Sequence, residues 1–470
     1  MSENVSENKM GTMPVGRLIF TMSLPMIVSM LVQALYNVVD SMFVARLSQD
    51  ALSAVTMVFP VQNLMIAFSV GMGVGVNALL SRSLGQGDRK KVSSAAMQGI
   101  LLFGAMYAIF LVLGLFFSEF YMRSQTDIED IVRGGTEYMT VVCAASFGLF
   151  AQVYCEKMLQ GTGRTVLSMA VQGVGAIINI ILDPILIFGR ITLPLVGTVA
   201  EFTPLGVAGA AWATVIGQTL AAVLGIFLNI RMNREIHFDR ALLRPEPHTL
   251  KAILSVGIPS GFIGSIGSVM TYFYNRILIG FSSACVSAFG AYFKLESFVL
   301  MPVYGLNNGT VPIIAYNYGA RRPDRMKKSV RISVISAEVV VLVGFAVFQL
   351  FPGQLLSLFN PDEEMLKIGI RALRTISLSF ITVGFSTVIT SVFQALGHGL
   401  MSMSVFIVRQ IFVVLPSAYL FSLSGNVGLV WFAFPIAELV SLIMCTVFYS
   451  RVRKLHMSDG AAKASLPGKE

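Results

Sequence analysis

The chain has 470 residues, of which 55% are hydrophobic and only 13% are charged. Soluble domains carry about 25% charged residues, so this composition excludes an ordinary soluble protein and predicts an all-α integral membrane fold. The formal net charge of +9 lies mostly in loops, without a basic stripe that alternates with aromatic residues, which argues against a nucleic-acid-binding surface.

About twelve apolar segments are long enough to cross a bilayer, which takes about 20 residues. They are 17–45, 51–80, 92–118, 132–160, 165–189, 206–230, 251–280, 284–315, 328–351, 366–394, 400–423 and 426–450. The loops after spans two, six and eight and the C-terminal tail are basic, whereas the loops after spans three and nine are acidic. Because basic loops remain in the cytoplasm, we expect a multi-pass plasma-membrane (inner-membrane) protein with both termini cytoplasmic. The N-terminus does not resemble a cleavable signal peptide.

Span one carries a polar stripe inside the apolar sequence SLPMIVSMLVQALYNVVDSMFVAR. Residues three and four apart share a helix face, which groups Gln33, Tyr36, Asn37 and Asp40, with Ser29 one turn earlier. A carboxylate at membrane depth is costly and normally faces a protein interior or a water-filled cavity. Pro25 removes a backbone donor and is the predicted hinge of this span.

The sequence repeats at an offset of 234 residues, since Pro25 corresponds to Pro259 and LQGTGRTVLSM to FQALGHGLMSM. Near the ends, Trp212 aligns with Trp431 at an offset of 219, which places an extra loop of 234 − 219 = 15 residues in GRITLPLVGTVAEFTP. Six spans per half predict a parallel repeat about an axis along the membrane normal. The predicted organisation is a cytoplasmic tail (1–16), an N-lobe (17–230), a cytoplasmic linker (231–250), a C-lobe (251–450) and a cytoplasmic tail (451–470).

No reactive constellation appears along the chain, so we expect no enzyme and no cofactor. The four histidines lie in loops or the tail, and the four cysteines lie in apolar stretches without metal-ligand spacing. GMGVGVNALL lies within an apolar span, where small residues favour close helix packing over nucleotide binding. Two six-helix bundles without an ATP site predict a transporter driven by an ion gradient, working as a monomer and exchanging access between the membrane's two sides.

Several segments together resemble the multidrug and toxic compound extrusion (MATE) family over about residues 15–450. They are the pattern Pro25…Asp40, SLGQGD, LQGTGRT, NIILDPILI and GVAGAAWAT. The resemblance implies export of bulky, often cationic organic compounds in exchange for Na⁺ or H⁺. It also implies the branch with an acidic N-lobe site, in which Asp40, Asp183, Asn179 and Thr214 couple the cation and Gln33 and Tyr36 are neighbouring polar positions. A second branch places acids in spans seven and ten, but 251–280 and 366–394 contain none.

The residue chemistry agrees with that site. Asn179 and Asp183 lie one helical turn apart, as do Tyr36 and Asp40. If spans one and five face each other, two carboxylates, an amide and a hydroxyl converge. Oxygen ligands suit a hard cation, so Asp40 and Asp183 are candidate Na⁺ ligands; neighbouring buried carboxylates equally suit a shared proton. The sequence leaves both ions open.

The second half lacks these acids, because adding 234 to Asp40 gives Tyr274 and adding it to Asp183 gives Ser417. We therefore expect ion coupling in the first half alone. The polar candidates of the C-lobe are Arg276, Lys294 and Glu296, which either form a structural ion pair or contact substrate. Arg409 and Glu438 are expected to pair with each other, and Glu338 has no predicted partner.

Two other functions compete with drug and cation export. A flippase for a lipid-linked precursor would need a lumen rich in arginine and lysine to hold pyrophosphate, and these spans are poor in interior base. A membrane enzyme or signalling protein would need a catalytic cluster or a soluble domain. The expected partners are a small-molecule substrate and membrane lipid, with no nucleic acid.

Overall fold

The protein is described by a computed structural model over residues 8–193, 197–201 and 203–457. The first half contains α1 Lys9–Thr12, α2 Val15–Ala45, α3 Gln49–Gly85, α4 Arg89–Phe116, α5 Ser118–Gln125, α6 Glu129–Ala144, α7 Phe147–Gly161, α8 Thr165–Phe188, β1 Arg190–Leu193, β2 Gly197–Glu201 and α9 Gly206–Met232. The second half contains α10 Pro247–Leu278, α11 Ser283–Gly319, α12 Pro323–Leu350, α13 Pro352–Ser357, α14 Glu363–Ile376, α15 Phe380–Ala395, α16 Gly399–Ile407, α17 Leu415–Ser422, α18 Val427–Val430 and α19 Ala433–His456. A π-helical segment, Val408–Val414, joins α16 to α17.

The predicted all-α membrane fold is confirmed. Eleven described helices are long and apolar enough to cross a membrane, and the bent pair α6 and α7 brings the number to twelve. These two helices meet at 44°. At the break, the Ser146 hydroxyl donates to the Cys143 carbonyl at 2.7 Å, a side-chain bond that competes with helix continuation.

A short β-hairpin occupies the predicted insertion. β1 and β2 pair antiparallel, with Arg190 opposite Glu201. The hairpin follows Gly189, which ends α8 in the left-handed conformation at φ 67°, the usual role of glycine at a helix C-terminus. The extra residues of the first half therefore lie outside its transmembrane helices.

The last part of the predicted N-terminal tail packs against the helices of the second half. α1 packs against α11, and the carbonyl of Met10 accepts bonds from Asn317 at 3.2 Å and from Arg325 at 3.1 Å. At the other end, α19 continues to His456, past the predicted limit of 450. The tail residues 1–7 and 458–470 lie outside the described part.

The structure repeats as the sequence does. α3 and α11 each have 37 residues, and α4 and α12 each have 28. Gly163 and its counterpart Gly397 have φ values of 84° and 87°. Gly87 at φ 74° corresponds to Arg321 at φ 55° (87 + 234 = 321), so the turn keeps its left-handed geometry even where a side chain makes that conformation uncommon.

The described residues form two compact units, and α2, α3 and α10 each have one end in the other unit. The first unit contains Val28–Leu80 and the described residues from Asp88 to Gly261. The second contains the described residues up to Ile27, Ser81–Gly87 and those from Phe262 onward. The beginning of α2 thus packs with second-half helices, and the beginning of α10 with first-half helices. These limits differ from the lobes predicted at 17–230 and 251–450, which followed the sequence repeat.

Glycines explain this exchange. In the first unit, a Cβ on Gly71 of α3 would lie 2.3 Å from the backbone nitrogen of Gly261 in α10. In the second unit, a Cβ on Gly305 of α11, the counterpart of Gly71, would lie 2.6 Å from the Cα of Ile27 in α2. Ile27 is itself the counterpart of Gly261 (27 + 234 = 261). The small-residue motif of span two therefore lets helix backbones approach closely, as predicted.

We expect Gly71→Ala to destabilise the protein, because the new methyl group meets backbone atoms that cannot rotate away. Overpacking of this kind costs about 1–3 kcal/mol and should lower the Tm measured by differential scanning fluorimetry in detergent. Gly104→Ala in α4 is the matched control, since no described atom outside its own helical turn lies within 4 Å of the new Cβ. Its Tm should stay or rise, because alanine favours helix over glycine; equal losses in both variants would refute the packing explanation.

Two histidines meet at one end of the second unit. The Nε2 atoms of His398 and His456 are 3.0 Å apart, and the Tyr318 hydroxyl lies 3.2 Å from Nδ1 of His456. Arg82 lies over the Tyr318 ring, with its guanidinium carbon 4.7 Å from the centroid. Burial, and secondarily the positive charge of Arg82, lower the pKa of His398.

This lowered pKa predicts a pH-dependent contribution to stability. Because the unfolded chain takes up the His398 proton near pH 6.5 and the folded chain only at lower pH, folding loses stability as pH falls below about 6.5. We expect the Tm of the wild-type protein, relative to that of His398→Gln, to fall between pH 7.5 and pH 5.5. His248→Gln serves as the control, because His248 is exposed. If the Tm of the wild type and that of His398→Gln changed in parallel with pH, the expectation would be contradicted.

Candidate ion-coupling site

Two acids of the first unit lie at membrane depth on different helices. Asp40 belongs to α2 and Asp183 to α8, where Asp183 is completely buried. Their carboxylates lie close enough to interact electrostatically. Pro184 follows Asp183 inside α8, and its missing N–H removes one bond from the helical ladder beside this carboxylate. The structure therefore brings together the two acids that the sequence singled out.

Asn179 and Thr214 complete the group. The Asn179 side-chain amide donates to Asp183 Oδ1 at 3.3 Å and to the Thr214 hydroxyl at 3.2 Å. Thr214 lies on α9, which approaches α8 closely because Gly217, one turn later, leaves room for the α8 backbone: a Cβ there would lie 2.8 Å from the carbonyl oxygen of Gly175. One amide thus links the acid of α8 to the hydroxyl of α9.

Three oxygen atoms of this group remain without a hydrogen-bond donor among the described residues. They are Asp40 Oδ1, Asn179 Oδ1 and Asp183 Oδ2, and all three are buried. Buried polar atoms are nearly always satisfied, and each orphaned one is costly in a membrane. Two carboxylates and an amide oxygen suit a hard cation, and two interacting carboxylates suit a proton. All three oxygens are potential Na⁺ ligands, whereas a proton would bind only to one of the two carboxylates.

The rest of the α2 stripe has different surroundings. Gln33 accepts a bond from the Gln172 amide of α8 at 3.1 Å, and the Ser29 hydroxyl donates to the same Gln172 side chain. Tyr36 interacts electrostatically with both site acids, whereas Asn37 is exposed. The stripe therefore joins α2 to α8 through hydrogen bonds to Gln172 and contributes Tyr36 to the acidic site.

Tyr138 is a site residue that the sequence analysis missed. It is buried on α6, interacts electrostatically with Asp40 and Asp183, and its hydroxyl lies 3.5 Å from Gln62 Oε1 of α3. A single tyrosine in an apolar span forms no periodic polar pattern, so its position beside the two acids is seen only in the packed structure.

Of the two roles predicted for Arg276, Lys294 and Glu296, the structural ion pair is wrong, because none of the three pairs with another among the described side chains. The ammonium of Lys294 lies 5.9 Å from the Phe359 ring centroid, and Arg276 lines an open groove of about 670 Å³ with Tyr419. Glu296 instead neighbours Tyr292 and interacts with Arg409. The three charges therefore have separate surroundings, although the sequence places them in two consecutive spans.

The predicted Arg409–Glu438 pair is confirmed, with Arg409 Nη1 3.0 Å from Glu438 Oε2. Glu338 has an unexpected partner, since its Oε1 accepts the backbone N–H of Phe385 at 2.7 Å. Tyr274, the counterpart of Asp40, is a fully buried core residue whose hydroxyl donates to the Val430 carbonyl at 3.1 Å.

The MatE family model matches the chain twice, at residues 25–185 and 259–420. The two matches begin 259 − 25 = 234 residues apart, which confirms the internal repeat and its offset.

Relatives and solved structures match nearly the whole chain. Multidrug export protein MepA of Staphylococcus haemolyticus is 26% identical and covers 94% of each chain. The FAD transporter of Shewanella oneidensis is 27% identical over 93% of this chain and 95% of its own. The solved outward-facing multidrug resistance MATE family transporter superposes with a TM-score of 0.87 at 25% identity, over 98% of this chain and 99% of that one.

Proposed function

Because this chain belongs to the MatE family, we propose that it is a secondary active antiporter that exports bulky, cationic organic compounds in exchange for Na⁺ or H⁺ by alternating access. The family and the named relatives are transporters rather than enzymes. Export of drug-like compounds is supported by the names of the relatives, several of which are multidrug export proteins.

The group of unsatisfied oxygens around Asp40, Asn179 and Asp183 is the observation that carries the coupling proposal. An ion gradient can drive transport only if the ion binds the different conformations of the transporter with different affinities. α2 bears Asp40 near one end, while its beginning packs in the other compact unit. An ion held between Asp40 and Asp183 is therefore placed to change how α2 packs, and this chain resembles the family branch with that acidic site.

For the location, oligomeric state and partners of the transporter, we propose what the sequence led us to expect. We place it in the plasma membrane as a monomer, with both termini cytoplasmic, with lipid and small molecules as its partners and with no cofactor besides the coupling ion. The alternative, a lipid-linked-precursor flippase, gains no support from the described interior: among its basic side chains, Arg409 pairs with Glu438 at 3.0 Å and Lys157 donates to Gln160 at 3.0 Å.

The decisive experiment uses the purified full-length protein in proteoliposomes loaded with ethidium. Na⁺ and H⁺ gradients are imposed separately, and ethidium efflux is followed by fluorescence. We expect efflux to require one of these gradients and to stop when it is collapsed with an ionophore. Gradient-independent ethidium movement, or none under either gradient, would contradict antiport of organic cations.

A further inference from the structure

The second unit contains a group of buried charges that the coupling site does not use. Arg409 and Glu438 form its centre, with side chains only 16% and 4% exposed. The second oxygen of Glu438, Oε1, is buried and has no hydrogen-bond partner in the described chain. The guanidinium carbon of Arg409 lies 4.8 Å from the Phe406 ring centroid. One carboxylate oxygen of a strongly buried side chain is thus left open.

A helix irregularity positions Arg409. It is the second residue of the π-helical segment Val408–Val414, and π-bulges occur frequently at functional sites. The segment packs against α19, which carries Glu438. The wider π-turn changes the direction of the side chains that follow it, so the ion pair depends on a local geometry that a regular α-helix lacks.

Two further carboxylates face this pair and leave it with a negative excess. Glu296 of α11 interacts electrostatically with both Arg409 and Glu438, and Glu338 of α12 interacts with Glu438. Glu338 Oε2 is also buried without a partner among the described atoms. When all are ionised, three carboxylates against one guanidinium give −3 + 1 = −2. Such a charge at membrane depth is costly, so these acids either bind protons or are compensated by a cation.

At Glu296 the group comes to the surface of the second unit. This side chain is partly exposed, and Tyr304, about two helical turns later on α11, is 42% exposed and interacts with Arg409 and Glu296. An aromatic ring beside a carboxylate favours a large cation, since both its face and the acid attract positive charge. No three acidic, histidine or cysteine side chains of the described residues converge closely enough to hold a metal ion.

We propose that Glu296 and the open oxygen of Glu438 bind the positive charge of an organic cation, with Tyr304 beside it and Arg409 as the internal counter-ion of Glu438. This subsite deepens the proposed function and rests on it. It differs from the coupling site in its residues, its compact unit and its ligand, a charge-diffuse organic cation instead of Na⁺ or H⁺.

The test compares two ligands with similar aromatic groups and different charge, tetraphenylphosphonium and the neutral triphenylphosphine oxide. Their binding to the purified full-length protein is measured by calorimetry without any ion gradient. Glu296→Gln should weaken tetraphenylphosphonium at least tenfold, which is about 1.4 kcal/mol, and should change the neutral ligand less than twofold. Glu296→Asp, which keeps the charge, should retain most of the affinity.

Glu363→Gln is the matched control, because Glu363 is an exposed carboxylate of the same unit that pairs with Lys367. It should bind both ligands as the wild type does. Unchanged tetraphenylphosphonium binding in Glu296→Gln, an equal loss of both ligands, or a wild type that does not prefer the cation would each overturn the subsite. A protein that shows the charge-selective loss but fails in the efflux assay would refute antiport and leave the subsite standing.

Discussion

Asp40→Asn and Asp183→Asn should each reduce gradient-driven ethidium efflux to background while the protein still folds. Each change removes the negative charge that a Na⁺ ion needs and the group that carries a proton, but keeps the shape of the side chain. Asn179 donates to the Thr214 hydroxyl at 3.2 Å in the wild type, and because neither substitution removes these two groups we expect the contact between α8 and α9 to persist. Efflux in proteoliposomes and Tm in detergent, measured on the same preparations, separate loss of coupling from loss of fold.

Asp130→Asn provides the control for these variants. Asp130 is an exposed acid in the first turn of α6 in the same compact unit, so its replacement should leave efflux near the wild-type rate. The double variant Asp40→Asn, Asp183→Asn is the stricter test. Efflux that still follows the ion gradient in that protein would place the coupling site elsewhere, with the acids of the second unit as the next candidates.

Pro25→Ala should slow transport by about tenfold or more without lowering stability. Pro25 is buried inside α2, where it cannot donate to the carbonyl of Thr21 and so makes the helix easier to bend. Alanine restores that bond and favours helix by about 3 kcal/mol over proline in a regular interior, so a stiffer α2 should exchange conformations more slowly. Initial efflux rates and Tm values should therefore move independently, with the rate falling and the Tm unchanged or higher.

Pro60→Ala distinguishes this effect from a general response to losing a proline. Pro60 also lies inside a long helix, α3, but its surface is exposed, and it lies outside the segment of α2 that crosses from one compact unit to the other. Its efflux rate should match the wild type. The hinge role of Pro25 would be refuted if the Pro25→Ala protein kept the full efflux rate, or if the Pro60→Ala protein were as slow as the Pro25→Ala protein.

Features that depend on local spacing were readable from the sequence. Low charge and long apolar segments predicted twelve spans, because a helix satisfies its backbone hydrogen bonds within a single segment of the membrane. The 234-residue offset predicted the repeat that the family model matches twice. Asn179 and Asp183 were predicted to act together because residues four apart share a helix face, and their side chains lie 3.3 Å apart.

Features that depend on which helices meet appeared only in the tertiary structure. The structure shows that α10 and α2 begin in the opposite compact unit, where Gly71 contacts Gly261 and Gly305 contacts Ile27. A glycine in the sequence permits such a close contact but does not specify the partner helix. Tyr138 reaches the acids from α6, and Glu296 interacts with the distant Arg409 as well as with Tyr292 one turn before it. Helical periodicity determines the face on which a residue lies, whereas the partner of that face is determined by packing between segments far apart in the chain.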